Sequence, residues 1–103
     1  MENTFARTKI FIEWLNALKD KRGKNRIEAR IENAEDGNFG DCGTVGEGVW
    51  EMRIHYGPGY RLYYFQHGKE LYWLMVGGDK GTQVSDIVLA KAMKRKIQGG
   101  GSC

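Results

Sequence analysis

In the stretch MRIHYGPGYRLYYF, residues 52–65, Arg53 and Arg61 stand on either side of Gly57-Pro58-Gly59, with His55 and Tyr63 close by. A guanidinium stays protonated at any ordinary pH, an imidazole titrates near neutrality, and a phenol can both donate and accept. Such a set suits the holding of an anion and the movement of a proton beside it. Phosphate is the anion an arginine fork fits best, because two parallel N–H bonds can reach two of its oxygens. A wet sheet face carrying a few arginines is the plain alternative. Against it stands the charge balance, since Glu51 is the single carboxylate on that strand face. Like charges gathered on neighbouring strands cost stability, and a bound anion would relieve that cost.

These side chains can act together only if a hairpin sets them on one face. From Val49 the chain alternates with period two: Trp50, Met52, Ile54 and Tyr56 point one way, and Glu51, Arg53 and His55 the other. In YRLYYFQ, Leu62 and Tyr64 share a face, while Arg61, Tyr63 and Phe65 share the opposite one. Read as a three-residue loop, Gly57-Pro58-Gly59 sets Tyr56 against Tyr60, Ile54 against Leu62 and Met52 against Tyr64. His55 then faces Arg61, and Arg53 faces Tyr63, with opposed Cβ atoms about 5 Å apart. A slip of one residue would bury Arg61, which the desolvation of a charge opposes. Arg53, His55, Arg61 and Tyr63 are therefore expected as one cluster on a solvated face, where truncation of Arg61 leaves the fold intact.

Periodicity supplies the elements that carry this hairpin. Residues 3–7, NTFAR, suit a short leading strand. Ile10, Phe11, Trp14, Leu15 and Leu18 recur on one helical face, with Thr8 as a plausible N-cap. KDKRGK interrupts, and Ile27, Ile31 and Ala34 mark a second helix, completing an αα-hairpin. EDGNFGDCGTVGEG, residues 35–48, holds five glycines and four acids and reads as a connection rather than an element. It lacks both phosphate-loop glycine patterns, and its acids would repel a phosphate. After an HGK turn, where His67 reads as structural, ELYWLMVGG is apolar on both faces, as a central strand is, and Gly77-Gly78 ends it. A last helix runs from about Thr82 to about Ile97, with Leu89, Met93 and Ile97 in line and Lys94, Arg95 and Lys96 at its C-terminal end. The order predicts an α+β domain, a small antiparallel sheet with helices mainly on one face.

The totals agree with one domain of 1–98 followed by a flexible tail, GGGSC, at 99–103. A hydrophobic content of 41% with 28% charged residues excludes global disorder. Apolar runs fall far short of the roughly 20 residues of a membrane span. The N-terminus carries Glu2 and no apolar core, so no secretory signal is expected and the cytoplasm is the expected location. Cys42 and Cys103 read as free thiols, without the number or spacing of a disulfide framework or metal site. Residues 1–50 carry eight Lys/Arg against nine Asp/Glu, and residues 51–103 eight against four. The excess positive charge thus sits with the aromatic second half, a distribution that suits nucleic acid or an acidic partner.

The segment GEGVWEMRIHYGPGYRLYYFQHGKELYWLMVGGDKGTQVSDI resembles the addiction-module killer proteins, the HigB-like branch of the RelE/ParE toxin superfamily. TKIFIEWLNALKDKRGKNRIEARIENAEDGNFGD looks like the opening helical hairpin of that family and the loop after it. The most specific marks are EMRIHYGPGYRLYY and GGDKGTQ, the second with Gly81 where serine is usual. The resemblance implies a RelE-like fold, an N-terminal αα-hairpin packed on a small antiparallel sheet with a C-terminal helix. It implies the toxin of a type II toxin–antitoxin pair: a ribonuclease without metal or cofactor that cuts mRNA in the ribosomal A site. Its partners would be that mRNA on the ribosome and a HigA-like helix-turn-helix antitoxin that holds it inactive.

By the same resemblance Arg61 stabilises the scissile phosphate, Arg53 is a second clamp beside it, and Lys80 completes the cationic surface. His55 is the best candidate for acid–base work, because of these side-chain types only an imidazole ordinarily titrates near neutrality. Tyr63, Asp79 and Gln83 would contact RNA or orient its neighbours, and Lys91, Lys94 and Arg95 would either meet the RNA backbone or form a solvated helix end. A ParE-like gyrase inhibitor, or a non-toxic module binding antitoxin or nucleic acid, would share the fold. The basic pair across Gly57-Pro58-Gly59, together with Lys80, favours the ribonuclease.

Overall fold

A computed structural model describes residues 2–99; the rest of the tail, Cys103 included, lies outside the described residues. Thr8 separates the first strand from the first helix by itself. Its backbone is extended, its hydroxyl accepts the Phe11 N–H at 3.1 Å, and the same hydroxyl donates to the Met75 carbonyl at 2.7 Å. Around it run β1 (Thr4–Arg7), α1 (Lys9–Ala17) and α2 (Lys21–Glu35). Asp20 starts α2 in the same way, accepting the Gly23 N–H at 2.9 Å. Its other oxygen accepts the Tyr60 hydroxyl at 2.9 Å, which ties the αα-hairpin to the sheet. Burial and the Asp20 carboxylate push Tyr60 up to about 12.

The sheet contains β2 (Cys42–Gly46), β3 (Val49–Ile54), β4 (Tyr60–Gln66) and β5 (Leu71–Gly78), and α3 (Gln83–Gly99) follows a single 3-10 turn at Lys80–Thr82. Strand order is β1-β5-β4-β3-β2. β1 runs parallel to β5 and every other pair is antiparallel, so the sheet is mixed. The α+β class, the αα-hairpin and the C-terminal helix are as expected from the sequence. The loop expected over 35–48 instead contains β2. Val49 pairs with Gly46, and Glu47 and Gly48 turn the chain with φ of 56° and 77°, the left-handed pair of a tight hairpin. Glu47 is an unusual residue for that conformation, and the small glycine-rich strand before it shows no alternation.

The helices cover both faces of the sheet, not mainly one. On one side Phe11, Leu15, Ile27 and Ile31 pack on Met52, Ile54, Leu62, Tyr64 and Leu74. On the other, Ala90, with Ile87, Met93 and Ile97, packs on Val49, Tyr63, Phe65, Met75 and Val76. β4 is buried on both faces for this reason. Two helical stripes sit slightly off their expected lines. Ile10 and Leu89 are exposed, because α1 centres its contact on Phe11 and Leu15 while α3 turns Ala90 inward.

Gly77 and Gly78 belong to the strand, and each faces a different helix. A Cβ on Gly77 would collide with the Trp14 indole of α1, and a Cβ on Gly78 with the Asp86 carboxylate of α3. Adjacent strand residues point to opposite faces, so a glycine pair lets both helices approach β5 at one level. Gly77→Ala is expected to cost about 1–3 kcal/mol through overpacking against Trp14. Urea denaturation measures this, and a double variant with Trp14→Ala recovers part of the loss if that contact is the cause.

Candidate functional site

The connection between β3 and β4 is longer than the expected three residues. His55 to Gly59 all leave the ladder; the Tyr56 N–H bonds the Ile54 carbonyl at 2.9 Å and the Gly59 N–H bonds that of Tyr56 at 3.1 Å. Ile54 therefore opposes Tyr60, Met52 opposes Leu62, Arg53 opposes Arg61, and Glu51 opposes Tyr63. Relative to the expected pairing the strands slide by two residues. A shift of two keeps every side chain on its face, so the apolar pattern has no power to choose between the two registers.

The consequence is that two guanidiniums lie directly opposite one another, and Glu51 is what makes this tolerable. Its side chain is 3% exposed. Oε1 accepts from Arg53 Nε at 3.1 Å and from Arg61 NH1 at 3.3 Å. Oε2 accepts from the Tyr63 hydroxyl at 3.1 Å and from Gln83 Nε2 at 2.7 Å. All four donors converge on one buried carboxylate, two cationic and two neutral.

The face carrying Arg61 is accordingly not solvated, because α3 lies over it. Arg61 is 8% exposed, which corrects the expected solvated face, and Arg61→Ala is expected to cost stability because it strips a buried carboxylate of a partner. Tyr63 is fully buried and its hydroxyl is engaged by Glu51, which leaves it no surface for RNA. Burial, followed by the Glu51 charge, raises its pKa above the usual phenol range.

A second carboxylate completes the surroundings. Arg30 on α2 donates to the carbonyls of Phe39, Asp41 and Arg53, clamping the segment before β2 against the end of β3. Asp41 is thereby set beside the cations, with Oδ1 accepting from Arg53 NH1 at 2.8 Å and Oδ2 meeting His55 Nε2 at 2.5 Å. The hydrogen bond from His55, then that from Arg53, holds the Asp41 carboxyl below its ordinary 3.8. An ionised carboxylate only accepts, so Nε2 is the protonated nitrogen and, in neutral His55, Nδ1 carries the lone pair. The His55 side chain is 72% exposed, beyond the end of the strand.

Lys80 reaches the same place from the other side. A Cβ on Gly59 would lie 3.1 Å from Lys80 Cγ, so the bare backbone there lets the lysine stem cross the turn. Asp79 accepts the Gly81 N–H at 2.8 Å and its own N–H bonds the Thr82 hydroxyl at 3.2 Å, a capping box that holds this turn in shape. Asp79 is thus engaged in capping, and Gln83 in holding Glu51. Arg53, His55, Arg61 and Lys80, with the Gly57-Pro58-Gly59 turn, line one pocket of about 180 Å³.

Lys91, Lys94 and Arg95 are not brought to this pocket. Arg95 pairs with Glu47 at 2.7 Å, Lys94 lies over the Phe65 ring at 5.5 Å, and Lys91 lies against Gly46. They brace the β2–β3 turn, at the far end of β3, roughly 20 Å from the pocket at strand rise. His67 sits in its turn, edge-on to Phe65. A larger cavity of about 260 Å³, lined by Phe39, Cys42, Trp50, Tyr64, Gln66 and Tyr72, opens on the α1/α2 side and contains no cation. Among the described residues no three His, Cys, Asp or Glu side chains come together as a metal-ligand set. Nor is any helix there long and apolar enough to cross a membrane.

Sequence reasoning assigned no role to Asp41 or Glu51. For Glu51 the signal was partial: it alternates in phase with Val49 and shares a sheet face with Tyr63 and Phe65, apolar neighbours that α3 could cover, but the alternation alone does not say that the face is covered. For Asp41 no signal existed, because only the fold brings residue 41 to residue 55.

An αα-hairpin on a mixed sheet with a C-terminal helix, and cations gathered at the β3–β4 turn, is compatible with the RelE-like fold of toxin–antitoxin toxins. Residues 13–98 match the family described as phage-derived Gp49-like proteins (DUF891), and the chain belongs to that family, within the RelE/HigB-like class of toxin–antitoxin toxins. It is also similar to a protein of Haemophilus influenzae, itself described as uncharacterized, with 43% identity over 90 residues, 87% of this chain and 91% of the relative.

The depressed Asp41 fixes the sign of one pH effect. Its contribution to stability is full above 3.8 and is lost as pH falls through the lower folded-state value. The stability difference between the protein and its Asp41→Asn variant, read from urea midpoints, is expected to shrink in that acid range. A difference that persists unchanged at the lowest pH would refute the ion-pair assignment.

Proposed function

We propose that this protein is the toxin of a type II toxin–antitoxin pair and acts as a metal-independent, ribosome-dependent mRNA endoribonuclease. The observation that carries this reading is the convergence of Arg53, Arg61, Lys80 and His55 on one small pocket at the Gly57-Pro58-Gly59 turn. In such a site the Nδ1 lone pair of His55 takes the proton of a ribose 2′-hydroxyl. The 2′-oxygen attacks the adjacent phosphorus and the bond from phosphorus to the 5′-oxygen breaks. The products are a 2′,3′-cyclic phosphate and a 5′-hydroxyl, whose proton comes from the Lys80 ammonium. Arg61 and Arg53 face the charge that develops on the phosphorane oxygens, where prepositioned cations contribute most. Membership of a toxin class supports an antitoxin partner, for which a HigA-like helix-turn-helix protein is the proposal.

Induced expression in bacteria with mapping of mRNA ends tests the reading. Growth arrest with new ends inside translated codons is expected. Arrest with a DNA-damage response and intact mRNA would instead indicate gyrase inhibition, and no arrest a binding module. In purified ribosome complexes, Lys80→Ala and Arg61→Lys are each expected to lower cleavage by about 10²–10³-fold. Wild-type cleavage by both variants would remove this pocket from the chemistry.

A further inference from the structure

We infer that Glu51 is the positioning residue of this site, the group that sets the two opposed guanidiniums in a geometry that receives an oxyanion. The inference rests on the proposed phosphate chemistry for its kinetic consequence, but its structural content stands by itself. Four observations carry it. First, Glu51 is nine-tenths or more buried and lies behind the pocket, not among the side chains lining it. Second, one of its oxygens takes both arginines while the other takes Tyr63 and Gln83, so the carboxylate is held from one side and holds from the other.

Third, Arg61 gives NH1 to Glu51 while its Nε is buried and has no hydrogen-bond partner among the described residues. A buried N–H without an acceptor costs stability, and a bound oxyanion would answer it. Glu51 thus holds the guanidinium by NH1 and leaves its buried Nε–H without an acceptor. Fourth, the two carboxylates at the site differ in kind. Asp41 is about half exposed and touches Arg53 and His55 at the rim, whereas Glu51 is sealed under the start of α3. A rim acid can move aside for an incoming phosphate, and a sealed one with four donors cannot.

Glu51 therefore does more than neutralise charge, and the two roles predict opposite signs. If Glu51 only offset the arginines, Glu51→Gln would make the pocket more cationic, so that RNA binds more tightly and cleavage does not suffer. If it positions them, binding of an uncleavable mRNA with a 2′-deoxy scissile nucleotide is retained or tightened while turnover falls. The expected result for Glu51→Gln in ribosome complexes is a kcat loss of about tenfold or more with KM changed less than about threefold.

Nitrogen-resolved NMR of the arginine Nε–H groups supplies a readout independent of cleavage. In the wild type the Arg61 signal is expected to be sharp, slowly exchanging, and shifted by added inorganic phosphate; in Glu51→Gln it is broadened and insensitive to phosphate. A folded Glu51→Gln protein with wild-type kcat and an unchanged Arg61 signal overturns the inference. If the wild type fails to cleave mRNA, the proposed function falls, and the Arg61 signal alone then decides the role of Glu51. If Glu51→Gln does not fold, Gln83→Leu replaces it. That variant removes one donor to Glu51 and keeps the charge, and an unmoved Arg61 signal and unmoved kcat there likewise refute positioning.

Discussion

A carboxylate placed inside a sheet and covered by a helix must have its lone pairs answered by donors, and at Glu51 this requirement organises the surrounding structure. The donors come from β3, from the facing residues of β4 and from the first residue of α3. Arg53 and Arg61 could not sit opposite one another without it, and the Tyr63 hydroxyl would be buried without a partner. One residue thereby couples the register of the central hairpin, the docking of α3 and the electrostatics of the pocket. Such a centre is costly as pure stabilisation, since apolar residues of similar volume would serve a core at least as well. Its presence is easier to understand as a means of keeping two cations at a fixed spacing under the surface that, in the proposed function, meets the phosphate.

Around this centre the site has a buried half and an exposed half. The buried half is Arg61 with Glu51, on the sheet face that α3 covers. The exposed half consists of His55, Asp41 and Lys80, all on connections. Arg30 mediates between the two by fastening the segment carrying Asp41 to the end of β3 through carbonyl groups alone. Charge is thus placed by the scaffold, while the groups that would exchange protons remain at the solvent boundary, where reprotonation is fast.

The double covering of the sheet explains several residues that look redundant in isolation. α3 closes the second core and also delivers Gln83 to Glu51, and the turn before it delivers Lys80 to the pocket. The paired glycines at the end of β5 allow α1 and α3 to close on opposite faces at one level. The basic residues of α3 brace the β2–β3 turn, so their charge has a local structural use whatever else they meet.

Much of this was legible in the amino-acid sequence alone: the αα-hairpin, the three central strands, the final helix, the faces on which Arg53, Arg61 and Tyr63 lie, and the gathering of cations at Gly57-Pro58-Gly59. These follow from local patterns, namely the spacing of apolar residues, caps and turns. Tertiary structure alone decided the rest. The register of β3 on β4 came from a five-residue turn, because a two-residue slide leaves the alternation unchanged. β2 forms because it can pair with an existing edge, although its glycine-rich sequence has little preference for extended structure. Whether the arginine face was wet or covered depended on where α3 docks, and α3 docks where Tyr63, Phe65, Val76 and Ala90 can be buried together. Glu51 and Asp41 acquired their roles only then, since burial and proximity across the fold are properties of the packed chain and not of any segment.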